Sequence, residues 1–271
     1  MSIPSQHRYI SPSVVMKNRF RQHPAPDWKL AVICFRDYKG SQLLVRTFGA
    51  EPVGYKVLYG MEEFEGSPVV YEADIAGSKV GIVTRCNWGG PQAAILVEEL
   101  AELGVERIVG FGAAGSIVGR IGKGTQLIAS RALLTDGTSR AYIRDETSLD
   151  CDPSWTAIAK ETAAAAEADG ETVRFAAAAN VDALYRETRG LIEELREAGA
   201  EIVNMETAAL YAAARVCGVK SVWVGFASDC LDGDEWDDWH IDLLKPAEAT
   251  ARLCLDLCER ALAAASAGET G

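Results

Sequence analysis

Short apolar runs alternate with longer segments of helical period along most of this chain, and that alternation limits the possible folds more than any other feature. The runs "KLAVICF", "RIVGFG", "GTQLIAS", "TVRFAAAANV", "EIVNM" and "VKSVWVGFAS" show little apolar/polar alternation. They therefore predict strands covered on both faces. "VVYEADIAGSKVGIVTR" predicts two strands joined by the Gly-Ser turn at residues 77–78. Helices are predicted for "PQAAILVEELAELGV", with Pro91 in the first turn and Gly104 as the stop, and for "SWTAIAKETAAAAEADG", "YRETRGLIEELREAG" and "ETAALYAAARVCG". A last helix spans about Pro246 to Ala265. Strands that feed helices, with some adjacent strands in the first half, predict an α/β fold: a three-layer α/β/α sandwich with a mixed central sheet. Residues 29–265 read as a single domain. A polar, proline-bearing arm over residues 1–28 precedes it and either wraps a partner subunit or is mobile, and a small polar tail follows over 266–271.

With 271 residues, 48% of them apolar, the chain buries a full core. The formal charge is -12 and Lys and Arg occur singly, a pattern that excludes a nucleic-acid partner. No run approaches the roughly 18 apolar residues of a membrane helix, and "MSIPSQHRYISPSVVMKNRF" has no continuous apolar core of the signal-peptide kind. The expectation is a cytoplasmic protein with no membrane partner. Seven cysteines form no CxxC pair, and the three histidines, His7, His23 and His240, lie far apart. They predict reduced thiols and no metal.

One acid stands out. In "NMETAALYAA" Glu206 opens a helix that is apolar nearly all round and hence buried. A first-turn acid gains from the helix dipole, but a buried carboxylate needs hydrogen-bond donors, because burying it unpaired costs several kcal/mol. The vicinal hydroxyls of a sugar supply such donors. Ligands of α/β sheets gather at the carboxyl ends of strands. Four segments place unusual residues there: "RCNWGGPQAA", "GFGAAGS", "VNMET" and "FASDCLDGDEW", the last with Asp229. Taken singly, a Gly-rich turn or an Asp after a strand serves as turn or cap; their order and spacing together point to a site.

From about Lys29 to Leu262 the chain resembles the hexameric (type I) nucleoside phosphorylase family, which includes purine nucleoside and uridine phosphorylases and the related methylthioadenosine/adenosylhomocysteine nucleosidases. The resemblance rests on "NWGGPQAAILVEEL", "GFGAAGS", "DGTSRAYI", "VDALYRET", "NMETAALYAAA" and "ASD". It implies that Met205 packs on the ribose, that Glu206 accepts from its two secondary hydroxyls, and that Asp229 faces the nucleobase and gives it a proton. It also implies a base pocket lined by Asp182, Leu184 and Val203, with Phe226 beside Asp229. Leu184 stands where many members carry an aromatic residue. The acidic segment after Asp229 is a closing flap in relatives, and Trp236 or Trp239 offers a ring to stack on the base. No arginine follows Asp229 before Arg252.

The family's phosphate cradle is eroded. "CFRDYKGS" lacks the usual Gly-Asp-Pro pattern, Gly110 stands in place of an arginine, and Ala113 follows Gly112 where a hydroxyl residue is usual. Tyr59 or Leu58 falls where a neighbouring subunit lends an arginine. Arg36, Lys39 and Arg85 are the candidates to rebuild an anion site, and Asp37 is the acid placed to activate water instead. The resemblance thus implies an enzyme that cleaves a nucleoside's N-glycosidic bond, by phosphorolysis with inorganic phosphate as co-substrate. The alternatives are hydrolysis or a non-catalytic nucleoside-binding or storage role. No other cofactor is implied, and relatives assemble as homo-oligomers, dimers or hexamers built from dimers.

Overall fold

The computed structural model describes residues 8–17, 20, 23–63, 66–239 and 242–269. Its strands are β1 (Leu30–Cys34), β2 (Glu51–Pro52), β3 (Val70–Ile75), β4 (Ser78–Val83), β5 (Arg107–Ser116), β6 (Gln126–Leu133), β7 (Ser148–Asp150), β8 (Val173–Asn180), β9 (Ile202–Asn204) and β10 (Lys220–Cys230). Its helices are α1 (Pro12–Met16), α2 (Tyr38–Phe48), α3 (Gly90–Glu102), α4 (Gly137–Tyr142), α5 (Pro153–Ala168), α6 (Arg189–Glu197), α7 (Thr207–Cys217) and α8 (Leu244–Glu269).

Among the described residues these strands form one mixed sheet in the order β10-β6-β8-β9-β5-β1-β4-β3-β2, with β7 beside β6. β10 also pairs with β5. Strands β5, β9, β8, β6 and β10 therefore close on themselves, and β1, β4, β3 and β2 extend from them as an open wing. Helices α2 and α5 each pack on α8, while α3, α4 and α7 form a second group with α1 laid on α3. The layered, mixed-sheet α/β fold is the one the alternation predicts; the closure of its larger half is not.

Several boundaries differ from expectation. "CFRDYKGS" reads as a loop, yet α2 begins within it, with Asp37 accepting the Gly40 N–H at 2.9 Å as its cap and Leu43, Leu44, Val45 and Phe48 buried. The helix expected from Tyr185 starts only at Arg189, after a 3-10 turn at Leu184–Arg186, because Thr188 caps it. The last helix runs on to Glu269, through most of the expected tail. In the N-terminal arm, Met16 is buried in the core of its own chain. Residues 1–7, 18, 19, 21, 22, 270 and 271 of the arm and tail lie outside the described residues, as do His7 and His240.

The glycines of β5 have a structural reason of their own. β5 and β10 run parallel, with Trp223 level with Gly110 and Gly225 level with Gly112. The buried Trp223 indole lies over all three glycines: a Cβ on Gly110 would meet its Cδ1 at 2.8 Å and one on Gly112 its Cζ2 at 3.2 Å. A Cβ on Gly225 would strike the same ring and stand 2.7 Å from the Gly112 carbonyl oxygen. Neither ring nor backbone can move within the sheet. Gly225→Ala is therefore expected to destabilise the fold by about 3 kcal/mol, read as a lower urea midpoint with an unchanged slope.

Candidate active site

Burial decides where the carboxyl ends of the strands bring chemistry together. α7 is buried from Thr207 to Ala214, so its first N–H groups need partners. Asn204 Oδ1 accepts from the Glu206 and Thr207 N–H groups at 3.3 and 3.2 Å, and Asn180 Oδ1 accepts from Ala208 N–H at 2.9 Å. With those donors taken by the two asparagines, Glu206 makes no side-chain cap to its own helix. Its carboxylate turns away and accepts the Gly89 N–H at 2.9 Å and the Met205 N–H at 3.3 Å. Gly89 holds a φ of 119°, which only glycine adopts without strain. Gly90 lets α3 approach α7: a Cβ there would meet that of Ala209 at 2.9 Å. Glu206 is 4% exposed, and burial pushes its carboxyl up to about 7, opposed by those two backbone donors.

Asp229 is aimed by an irregularity in β10. Ala227 is level with Ala114 and Asp229 with Gly115, so Ser228 is an extra residue, a bulge that redirects the strand end. The Ser228 hydroxyl donates to Asp229 Oδ1 at 2.6 Å, and the Trp236 indole N–H donates to Oδ2 at 2.8 Å. Gly115 leaves room for Leu231 and Val203 beside the carboxylate, since a Cβ there would meet Leu231 Cδ1 at 2.6 Å and Val203 Cγ2 at 3.3 Å. Past Asp229 the chain folds back on the strand end, with Cys230 and Asp237 exchanging backbone hydrogen bonds. Lys123 pairs with the Asp237 carboxylate.

Both acids border one cavity of about 380 Å³. Among its walls are Arg36 and Asp37 after β1, Ala113 to Gly115 on β5, Leu184 and Glu187 after β8, and Val203 to Glu206 at the end of β9. Ser228 and Asp229 on β10 and Trp239 beyond it continue the wall, and Phe35, Trp88 and Leu243 fill the rest. The cavity thus gathers Arg36, Asp37, Ala113, Leu184, Val203, Met205, Glu206 and Asp229, all expected from the sequence. Phe35, Trp88, Asn204, Glu187, Ser228 and Leu243 were not foreseen. Trp88 belongs to the same turn as Gly89 and is tied by its indole N–H to the Phe35 carbonyl at 3.2 Å.

Other expected site residues lie elsewhere. Gly112 faces the Trp223 ring instead of a ligand, and the same ring occupies the space over Gly110 that an arginine would need. Phe226 is buried behind the wall, with the Arg36 guanidinium 5.0 Å above its ring. Trp236 holds Asp229, and its neighbour Trp239 is the one on the wall, the two rings meeting edge to face at 4.8 Å. Asp182 accepts the Gly137 N–H at 2.9 Å and so anchors α4. Arg85 spends its guanidinium on Ser67 and the Pro68 carbonyl, and Lys39 is exposed on α2, outside the wall. Asp37 lines the cavity but gives one oxygen to the α2 cap.

Arg36 is the cation of this wall. It is half-buried, and its Nε is buried with no hydrogen-bond partner among the described residues. Gly40 makes room for it, since a Cβ at 40 would sit 2.9 Å from the Arg36 Cβ and 3.2 Å from its Nε. The residue 36 side chain thus lies across the face that a side chain at 40 would otherwise fill. Ala113 and Gly115 stand on the same face of β5 about 7 Å apart, so the cavity runs from the cation beside Phe226 and Ala113 to the carboxylate beside Gly115.

A mixed α/β sheet whose closed half supplies two buried carboxylates and whose neighbouring strand β1 leads into one cation offers a site for a small polar ligand. The chain belongs to the Phosphorylase superfamily, whose family model matches residues 53–263. It is 32% identical over 152 residues to a uridine phosphorylase of Thermococcus kodakarensis, covering 51% of this chain and 54% of that protein. To a guanosine phosphorylase of Halorubrum lacusprofundi it is 30% identical over 133 residues, 49% and 54% of the two chains. An uncharacterized protein, R802, of Acanthamoeba polyphaga mimivirus is 31% identical over 167 residues, 62% and 64%. The matched stretches thus cover between 54% and 64% of these curated relatives' length. The fold is that of the 5'-methylthioadenosine/S-adenosyl homocysteine nucleosidase of Campylobacter jejuni, with a TM-score of 0.69 at 16% identity over 86% of this chain and 99% of that one.

Proposed function

We propose that this protein cleaves the N-glycosidic bond of a nucleoside by phosphorolysis, giving free base and a pentose 1-phosphate. The observation that carries this reading is Arg36, a cation on the wall of the cavity that also holds Glu206 and Asp229, whose buried Nε has no hydrogen-bond partner among the described residues. A buried guanidinium nitrogen with an open donor is matched by an oxyanion. In the reaction an oxygen of phosphate bonds to the anomeric carbon as the bond to the base nitrogen breaks. The electron pair leaves with the base, which takes up a proton. Glu206 accepts from the sugar hydroxyls and places its charge beside the cation-like sugar of the transition state. Asp229 hydrogen-bonds the departing base and delivers the proton.

Asp37 supports hydrolysis less well, because one of its oxygens already closes the first turn of α2. Release of free base from purine and pyrimidine nucleosides, with and without phosphate, tests the reading. Strict phosphate dependence is expected; equal release in its absence would replace phosphorolysis by hydrolysis. Arg36→Met keeps an apolar stem on Phe226 and removes the charge. It is expected to raise the KM for phosphate at least about tenfold while the nucleoside KM stays within a few-fold.

A further inference from the structure

Asn180 ends β8 outside the cavity wall, yet it bears on the acid that the reaction above needs. It is 1% exposed, and β8 and β9 run parallel with Asn180 level with Asn204. The two asparagines divide the first N–H groups of α7 between them. Asn204 Oδ1 takes those of Glu206 and Thr207, and Asn180 Oδ1 takes that of Ala208 at 2.9 Å. The strand end that carries Asn180 is itself fixed, since its carbonyl accepts the Thr135 hydroxyl at 2.6 Å and the Val181 N–H meets the Asn204 carbonyl at 2.9 Å. The Asn180 amide nitrogen is buried with no hydrogen-bond partner among the described residues. Its side chain therefore serves as an acceptor alone.

The Ala208 N–H lies in the first turn of α7, where no carbonyl of its own helix can reach it. Glu206 is the cap residue of that helix, and a cap side chain normally takes the second or third N–H itself. With Asn180 in place Glu206 makes no such bond and turns to Gly89 and the cavity. Without it, the open N–H and the positive end of α7 draw the Glu206 carboxylate back onto its own helix.

Resting on the nucleoside reading for its kinetic consequence, we propose that Asn180 is a positioning residue that acts through Glu206. By holding the Ala208 N–H it keeps the carboxylate free for the sugar. The titratable groups around Glu206 are Cys86 past β4, Asp136 beside Gly90, Arg36 and Asp37 past β1, Glu187 past β8 and Asp229 on β10. None of them bonds to Asn180, so a change in titration on substitution at 180 reports on Glu206 itself.

The test places Glu206→Gln in three backgrounds: native, Asn180→Ala and Asn180→Asp. It is read by melts at pH 5 and pH 8 and by kcat/KM for base release from guanosine and uridine with phosphate. In the native background Glu206→Gln is expected to raise the melting temperature at pH 8. In Asn180→Ala that rise should disappear or reverse, because the recaptured carboxylate gains helix N–H donors as an anion. The cost of Glu206→Gln in kcat/KM, about a hundredfold in the native background, should shrink there to about threefold or less. Asn180→Asp keeps an acceptor facing Ala208, so in it Glu206→Gln should still cost about thirtyfold or more. A pH 8 rise and a kinetic cost both equal to native in Asn180→Ala would overturn the proposal and leave the nucleoside reading intact. If Asn180→Ala does not fold, Asn180→Asp decides, and loss of the Glu206→Gln cost in that variant overturns the proposal. Absence of base release from either nucleoside in the native protein would overturn the nucleoside reading, while the melts, which need no substrate, would still decide whether Asn180 frees Glu206.

Discussion

Glu206→Gln is expected to lower kcat/KM for a nucleoside by about a hundredfold or more and, in the same protein, to raise its melting temperature above pH 7. The loss follows from replacing a charged double acceptor by an amide with one acceptor oxygen, at a cost of about 1.5–3 kcal/mol for each charge-assisted hydrogen bond to the sugar. The gain follows from burial. The folded-state carboxyl titrates at about 7, above the 4.5 of an ordinary glutamate. The stability linked to this group is therefore complete below about 4.5 and is lost as pH rises through 7. At pH 8 the native protein carries a buried charge that glutamine lacks, and the carbonyl oxygen of the substituted amide still receives the Gly89 N–H. A stabilisation of about 1–2 kcal/mol at pH 8 that fades toward pH 5 is expected from paired melts. A variant that is equally active, or that melts earlier at pH 8 than at pH 5 relative to native, would separate Glu206 from the sugar or from its burial.

Asp229→Ala is expected to reduce kcat by about a thousandfold, at the centre of the range for loss of a positioned acid, with nucleoside affinity changed no more than about fivefold. Two features around Asp229 serve its aim: the Ser228 bulge and a donor on each oxygen. Single-turnover base release separates the chemical step from binding. Equal losses in affinity and rate would make Asp229 a binding group, and more than a tenth of native activity would move the leaving-group role elsewhere.

The strands were legible because β1, β5 and β10 bury nearly every residue and are written as unbroken apolar runs. α2 was hidden because its cap, Asp37, sits among charged residues that read as a turn, while its apolar positions lie farther on. Glu206 and Asp229 were legible as acids in apolar surroundings, a local contradiction that a sequence displays directly. Trp88 and Glu187 carry no such signal, since each is polar or exposed in its own segment; Trp88 joins the wall through its bond to the Phe35 carbonyl after β1, and Glu187 through the place of β8 in the closed half. Gly112 misled for the opposite reason. Its neighbour is a ring 111 positions away, and only the register of β5 on β10 reveals it. Trp236 carried the aromatic signal but faces an acid of its own loop, which a list of ring positions does not distinguish from a base.

The Trp223 ring and the three glycines beneath it have a consequence for how such a chain drifts. Gly110, Gly112 and Gly225 share one neighbour: a side chain at 110 or 225 would collide with that indole, one at 112 would crowd it, and a smaller residue at 223 would leave a void over all three. Two strands far apart in sequence therefore form a single heritable unit. A side chain at 110 requires both the Trp223 ring and the Leu210 side chain to give way, so a change at one of these positions calls for changes at the others.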